Sequence, residues 1–271
     1  MKLTVAIICS NDHLIQRCLD SIPKKTPIIA ILNYPDDYVL NVVENDKRVK
    51  VYRHDERNLG KLRQLAVDKC KTPAICFIDS DCVVEKDTIS IVEEELEDYY
   101  AVNIPLHFDY NSSSTKIVSL CRKYTTPDKL LYMPFAFRLD IQNKIGKLFN
   151  DKLSWGEDSD QRKRMKEKGL EYAISKSFVT HKVLTIKEDA KSSIRLGEGT
   201  YIQEINGINT KRSIWKDLSI ITEIKNAHGC TKMTNSIMAG IYHFFIWRPT
   251  YKYGYWKERI KKNGNKNKNN K

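Results

Sequence analysis

Two hydrophobic periods alternate along the first part of the chain. Leu3–Cys9 is a nearly unbroken apolar run, as in a strand buried on both faces, whereas over 12–21 the apolar residues Leu14, Ile15, Cys18 and Leu19 recur at helical spacing. Ile28–Leu32 and Val49–Arg53 repeat the strand signal, with a short helix over 39–43 between them. Asn58-Leu59-Gly60 then opens a helix that reaches Cys70 and carries Leu62, Leu65 and Ala66 at helical spacing. A fourth apolar run, Ile75-Cys76-Phe77-Ile78, ends abruptly in Asp79-Ser80-Asp81. This β-α-β-α-β-α-β order predicts an α/β fold with a mostly parallel, doubly wound sheet, whose loops at the strands' carboxyl ends gather on one side. Past residue 186 the pattern turns helical, over 187–205, 214–227 and 232–247, and the composition of 263–271 predicts a stretch without fixed structure.

Ligands bind an open α/β sheet at the carboxyl ends of its strands, which is where Asp79 and Asp81 fall. Two carboxylates so close repel unless something positive lies between them. A hard divalent cation, Mn2+ or Mg2+, satisfies both, taking further oxygens from a substrate phosphate. Taken alone, a D-x-D is more often a pair of solvated acids in a turn, since so short a motif matches by chance. The neighbouring loops carry Ser10, Asn11, Asp12, Asn33, Asp36, Asn58, Gly60 and Lys61, a polar set suited to a nucleotide. Gly60 would let backbone approach closely at a helix start, where free N–H groups favour phosphate, and Lys61 and Arg63 add positive charge. Plain helix capping would use the same residue types.

In the second half, Glu157, Asp158 and Asp160 cluster where a helix begins. Compensation of the helix dipole explains such a cluster by itself, but Trp155-Gly156 beside it makes a platform for a sugar face. His181 follows extended segments over 172–175 and 177–180, and read alone it is a structural histidine.

Composition narrows the setting. The seven cysteines are scattered and form no C-x-x-C pair, so neither a disulfide framework nor a zinc site is expected, and a reducing cytosol fits. Leu3 begins a strand without the length or cleavage site of a signal peptide. The net charge of +12 is concentrated at the C-terminal end, where 248–271 holds nine basic residues and one acid. An apolar stretch over 237–247, short of the roughly 20 residues needed to span a bilayer, precedes Tyr251, Tyr253, Tyr255 and Trp256. That composition suits an interfacial anchor and makes an anionic membrane surface a candidate partner. No specific nucleic-acid partner is expected, because no recognition module accompanies the basic residues.

In order and spacing, these motifs resemble the family 2 glycosyltransferases of the GT-A fold, over about residues 3–185. The residues concerned are Val5-Ala6-Ile7-Ile8-Cys9-Ser10-Asn11-Asp12 with Cys18-Leu19-Asp20-Ser21-Ile22, Arg57-Asn58-Leu59-Gly60-Lys61, Phe77-Ile78-Asp79-Ser80-Asp81, and Phe135–Arg138 with Ile145-Gly146. Gly156-Glu157-Asp158-Ser159-Asp160 with Arg162 and Gly169, and Val179-Thr180-His181, complete the set. The resemblance implies a GT-A catalytic domain over 1–185, with a nucleotide-binding half over 1–106 and an acceptor half over 107–185. A helical C-terminal region over 186–256 and a basic tail over 257–271 would follow. It implies transfer of a hexose from a nucleotide-diphosphate sugar to a hydroxyl of a glycan or lipid-linked acceptor. Asp81 would bind the metal, Asp79 would contact the nucleotide and share the metal, His181 would complete the metal shell, and Asp158 would act as catalytic base. Ser10, Asp12, Asn33, Asp36, Asn58, Gly60, Lys61, Arg63, Ser80, Trp155 and Glu157 are then the expected substrate-binding residues.

The chemistry is consistent with those roles. A departing diphosphate needs charge neutralisation, and an acceptor hydroxyl needs a base on the opposite face, as in an inverting single displacement. The chain departs from the family at the loop after the second strand, where the base contact falls to Asn33 or Asp36, and at Lys61-Leu62-Arg63. Phe77-Ile78-Asp79-Ser80-Asp81-Cys82-Val83 also matches the strand of haloacid-dehalogenase-like phosphatases, with Asp79 as nucleophile. A non-catalytic nucleotide-sugar binder is the third reading. The expected location is the cytoplasm, peripheral at the inner face of the membrane.

Overall fold

A computed structural model describes residues 1–56, 58–125, 131, 133–207 and 233–269. Arg57 and the helix expected over 214–227 lie outside the described residues. The chain folds as two compact units, Met1–His107 with Asp128–Lys182, and Phe108–Pro127 with Val183–Lys271.

The first unit contains the four strands read from the sequence: β1 (Leu3–Cys9), β2 (Ile28–Leu32), β3 (Val49–Arg53) and β4 (Ala74–Phe77). β1 runs parallel to both β2 and β4, with Val5 opposite Ile28 on one side and Cys76 on the other, and β2 runs parallel to β3. Side chains alternate across this sheet and build a core on each face. On one face Leu3, Val5, Ile7 and Cys9 join residues of α1 (Ile15–Ser21), α2 (Asp37–Asn45) and α4 (Thr88–Asp98). On the other, Ala6, Ile29, Ile75 and Phe77 join Leu62, Ala66 and Val67 of α3 (Leu59–Lys69). Phe77, Phe135, Phe137 and Phe149 are fully buried there and meet mostly edge to face, Phe77 and Phe149 with centroids 5.1 Å apart at 82°. Each such pair adds about 0.5–1.5 kcal/mol beyond its burial.

Past β4 the sheet becomes mixed. β8 (Phe135–Arg138) runs antiparallel to β4, β6 (Ala101–Asn103) antiparallel to β8, and β9 (Ala173–Ile174) parallel to β6, giving the order β3-β2-β1-β4-β8-β6-β9. A three-stranded sheet joins β5 (Cys82–Val84), β10 (Val179–His181) and β7 (Leu106–Phe108) in the order β5-β10-β7.

The second unit is helical. It comprises α5 (Ser113–Thr125), α8 (Ile186–Ile205), α9 (Met233–Tyr242), a π turn over His243–Trp247, and α10 (Arg248–Asn269). Asp189, wholly buried, accepts from Arg122 Nε at one oxygen and from the Tyr242 hydroxyl at the other, 2.7 Å away. A carboxylate in such a place is tolerable only when both oxygens are satisfied. α8 begins in a capping box between Thr185 and Glu188. Gly197 of α8 and Gly254 of α10 bring the two helices together backbone to backbone: a Cβ at Gly197 would lie 1.9 Å from the Tyr251 carbonyl oxygen, and one at Gly254 2.0 Å from that of Ile194.

Pro249 has no N–H to give and crowds the carbonyl four residues back, and just before it the helix widens. There the Arg248 amide bonds to His243 O, five residues earlier. Composition alone predicts no fixed structure for the tail, yet α10 continues to Asn269. Its first turns are clamped on α8, so the helix propagates from a formed nucleus.

Candidate active site

The chain leaves β4 at Phe77 and turns at once, Cys82 N–H donating to Asp79 O at 3.1 Å, to enter β5. Because β10 pairs antiparallel with β5, His181 lies opposite Cys82 and reaches the second acid of the D-x-D. His181 Nε2 stands 3.3 Å from Asp81 Oδ2, and Lys182 Nζ stands 3.5 Å from the same oxygen. His181 Nδ1 donates to the Lys182 carbonyl at 2.9 Å. That bond occupies Nδ1 and leaves Nε2 as the ring nitrogen that faces Asp81. Lys182 escaped the sequence reading, although its position directly after His181 was the available signal.

Below the D-x-D, Ser80 Oγ donates to Asp12 Oδ2 at 2.9 Å, while Asp12 Oδ1 accepts the Leu14 amide at 3.1 Å. This turn starts α1 at Ile15 rather than at Asp12. Burial pushes the Asp79 carboxyl above its usual range; the charges of Asp81 and Asp12 add to this, and Arg63 and His181 oppose it.

The loop after β2 divides the two candidates for a base contact. Asn33 is buried and ties strand ends together, its amide donating to Cys9 O at 2.8 Å and its Nδ2 to His54 O at 2.7 Å. Asp36 caps α2 through the Val39 amide at 2.9 Å and pairs with His13 Nε2 at 2.7 Å, and these two bonds hold its carboxyl below the ordinary range. The His13 ring lies 4.5 Å from that of the exposed Tyr38, a pair that sequence reasoning also missed.

At the next loop, Asn58 caps α3 through the Lys61 amide at 3.1 Å and donates to Asp151 O at 2.9 Å. Gly60, expected to face a phosphate, instead gives its N–H to Leu153 O at 3.1 Å, and a Cβ there would lie 2.3 Å from Asn150 O and 2.6 Å from Leu153 O. Its missing side chain makes room for the 150–153 backbone. Gly60→Ala is therefore expected to destabilise the fold by about 1–3 kcal/mol through overpacking; an unchanged midpoint in urea unfolding would refute this contact. Lys61 lies at the surface, its Nζ 2.7 Å from Glu56.

Arg63 and Glu157 were both expected among the substrate-binding residues, but both are buried and bonded to each other. The Arg63 guanidinium also lies 5.5 Å from the centre of the Phe135 ring and 5.8 Å from that of Phe149. Burial raises the Glu157 carboxyl pKa, with Arg63 pulling against it and Asp158 adding to the rise. Removing one partner of such a pair costs about 3–5 kcal/mol, so this bond ties α3 firmly to the first turn of α7 (Glu157–Glu167).

Gly156, in the left-handed region at φ 79°, starts that helix, with the half-buried Trp155 just before it. Asp158 is half-buried and accepts the Ser159 amide at 2.7 Å. Arg164, paired with Asp160 at 2.8 Å, donates to the carbonyls of Ile145, Lys147 and Leu148 and anchors the segment after α6 (Gln142–Ile145). Ser10 is half-buried at the end of β1. Among the described residues, no three carboxylate, imidazole or thiol side chains are gathered as a ready metal shell. Asp81 and His181 nevertheless form a two-donor set that fits a hard cation completed by phosphate oxygens and water.

A mainly parallel sheet with a D-x-D at its carboxyl edge, a histidine delivered beside it by β10, and an acid-led helix α7 are the framework of a GT-A glycosyltransferase. The profile of Glycosyl transferase family 2 matches residues 4–151, and the chain belongs to that family. Solved structures bear the same fold. S. aureus TarS 1–349 is 16% identical with a TM-score of 0.51, over 96% of this chain and 92% of that one. Its complex with UDP-GlcNAc is 14% identical with a TM-score of 0.52, over the same shares of 96% and 92%. No curated protein sequence matches the chain. Family membership sets aside the haloacid-dehalogenase-like phosphatase.

Proposed function

We propose that the enzyme moves a sugar, with inversion, from a nucleoside diphosphate sugar to a hydroxyl of a glycan, free or lipid-linked. The observation that carries this reading is the approach of His181 Nε2 to Asp81 Oδ2, 3.3 Å, at the carboxyl edge of β4. In this reading Asp81 and His181 hold Mn2+ or Mg2+, which when bound neutralises charge on the departing diphosphate. Asp79 and the Asp12–Ser80 pair frame the nucleotide, and Lys182 adds a fixed positive charge to the same edge. Asp158 takes the acceptor's proton, and the Arg63–Glu157 pair positions it by holding the first turn of α7. Solved TarS structures include complexes with UDP-GlcNAc and with UDP, which makes UDP-linked sugars the first donors to test.

Thermal unfolding with UDP and UDP-sugars, with Mn2+, Mg2+ or chelator, followed by UDP release on adding glycan acceptors, tests the proposal. A ligand at a hundred times its Kd stabilises by about 2.7 kcal/mol, a shift of several degrees for a protein of this size. The expected result is a shift that chelator abolishes and UDP release that needs acceptor. Stabilisation without turnover on any acceptor would favour the non-catalytic binder; no response to any nucleotide sugar would reject both readings.

A further inference from the structure

The second unit ends in one long helical run, α9, the π turn and α10, whose two sides are very different. Ala239, Tyr242, His243, Gly254 and Tyr255 are buried, and the glycine contacts between α8 and α10 pin that side in place. The opposite side carries Ile237, Met238, Ile241, Phe245, Tyr253, Trp256 and Ile260, all exposed. Phe245, Tyr253 and Ile260 are 63%, 61% and 70% exposed, far more than scattered surface apolar residues require. In an α-helix a step of four overshoots a full turn by about 40°, so a row at 237, 241, 245 and 253 would wind around the axis. The wider π turn at 243–247 takes back part of that rotation and keeps the row on one side.

Charge decides what this row meets. From 248 to 262 the helix carries Arg248, Lys252, Lys257, Arg259, Lys261 and Lys262 against Glu258 alone. Glu258 lies 3.9 Å from Lys261, and Arg259 lies 4.8 Å from the centre of the Trp256 ring, so cations border the aromatic row directly. No described helix is long and apolar enough to cross a membrane. Apolar rings flanked by lysine and arginine on a pinned helix face match the headgroup boundary of an anionic bilayer, where the rings enter and the cations meet lipid phosphate.

We infer that this face of α9 and α10 docks the protein reversibly on anionic phospholipid bilayers, with the helix axis along the membrane plane. The inference is independent of sugar transfer, since it needs neither donor nor acceptor. The full chain is mixed with vesicles of phosphatidylcholine alone, or of equal parts phosphatidylglycerol and phosphatidylcholine, and sedimented. Binding is expected to the mixed vesicles only and to be released by high salt. Each cation at the surface contributes about fivefold to partitioning, so Arg259→Glu, Lys261→Glu and Lys262→Glu together should weaken it by at least a hundredfold. Phe245→Glu with Ile260→Glu, both at exposed positions, should abolish it while circular dichroism and UDP-sugar stabilisation stay unchanged. Wild-type protein that ignores the mixed vesicles would overturn the inference, as would apolar-face variants that bind them normally. Sedimentation velocity showing a dimer that these variants dissolve, without vesicle binding, would assign the face to a second copy of the chain and equally overturn it.

Discussion

Asp81→Ala is expected to lower sugar transfer by about 10³-fold or more, the scale of losing a principal electrostatic stabiliser of a departing charge. The fold should survive. The Asp81 side chain faces His181 and Lys182 at a polar rim, and the bond from Lys182 N–H to its carbonyl, 3.1 Å, does not depend on the carboxylate. Removing the acid leaves a histidine and a lysine with no carboxylate between them and only one donor for a cation. The variant should therefore also lose metal-dependent stabilisation by UDP while retaining its circular dichroism spectrum. Transfer within tenfold of wild type, or wild-type activity that survives excess chelator, would remove Asp81 from this role.

Asp158→Asn should cost about 10³-fold in turnover, within the range that general base catalysis supplies, with little change in the KM for donor. The amide oxygen of asparagine can still accept the Ser159 N–H, and Glu157 remains bonded to Arg63, so the first turn of α7 keeps its place. Only proton acceptance is lost. A large rise in donor KM with near-normal turnover would make Asp158 a binding residue. Slow hydrolysis of the donor that persists unchanged in the variant would separate donor activation from the acceptor's deprotonation.

The catalytic half was legible wherever a signal lay within one element. The apolar runs at β1, β2 and β4 are too continuous to face water on either side, so a doubly covered parallel sheet follows from them, and the abrupt end of the last run puts Asp79 and Asp81 at its carboxyl edge. Asp36 and Asn58 also stand where helix caps belong, and both cap. The mixed half of the sheet was harder to read: extended segments stand out at β9 and β10, but β5 and β6 are only three residues long and too short to show a period.

What only the tertiary structure decided are the pairings between distant segments. A buried arginine and a phosphate-binding arginine look alike in sequence; the arrival of Glu157 opposite Arg63 makes this one a brace between α3 and α7. Gly60 can admit a phosphate or another stretch of chain, and the approach of the 150–153 backbone takes the space. His181 is unremarkable until β10 pairs with β5 and sets its Nε2 beside Asp81. α5, far from α8 in sequence, folds in the same unit because Arg122 and Asp189 can be buried only together. In each case one residue type suits two roles, and the partner that reaches it across the chain selects between them. Hydrophobic period and capping determine elements locally; desolvation of charge and the exclusion of side-chain volume act only once those elements meet.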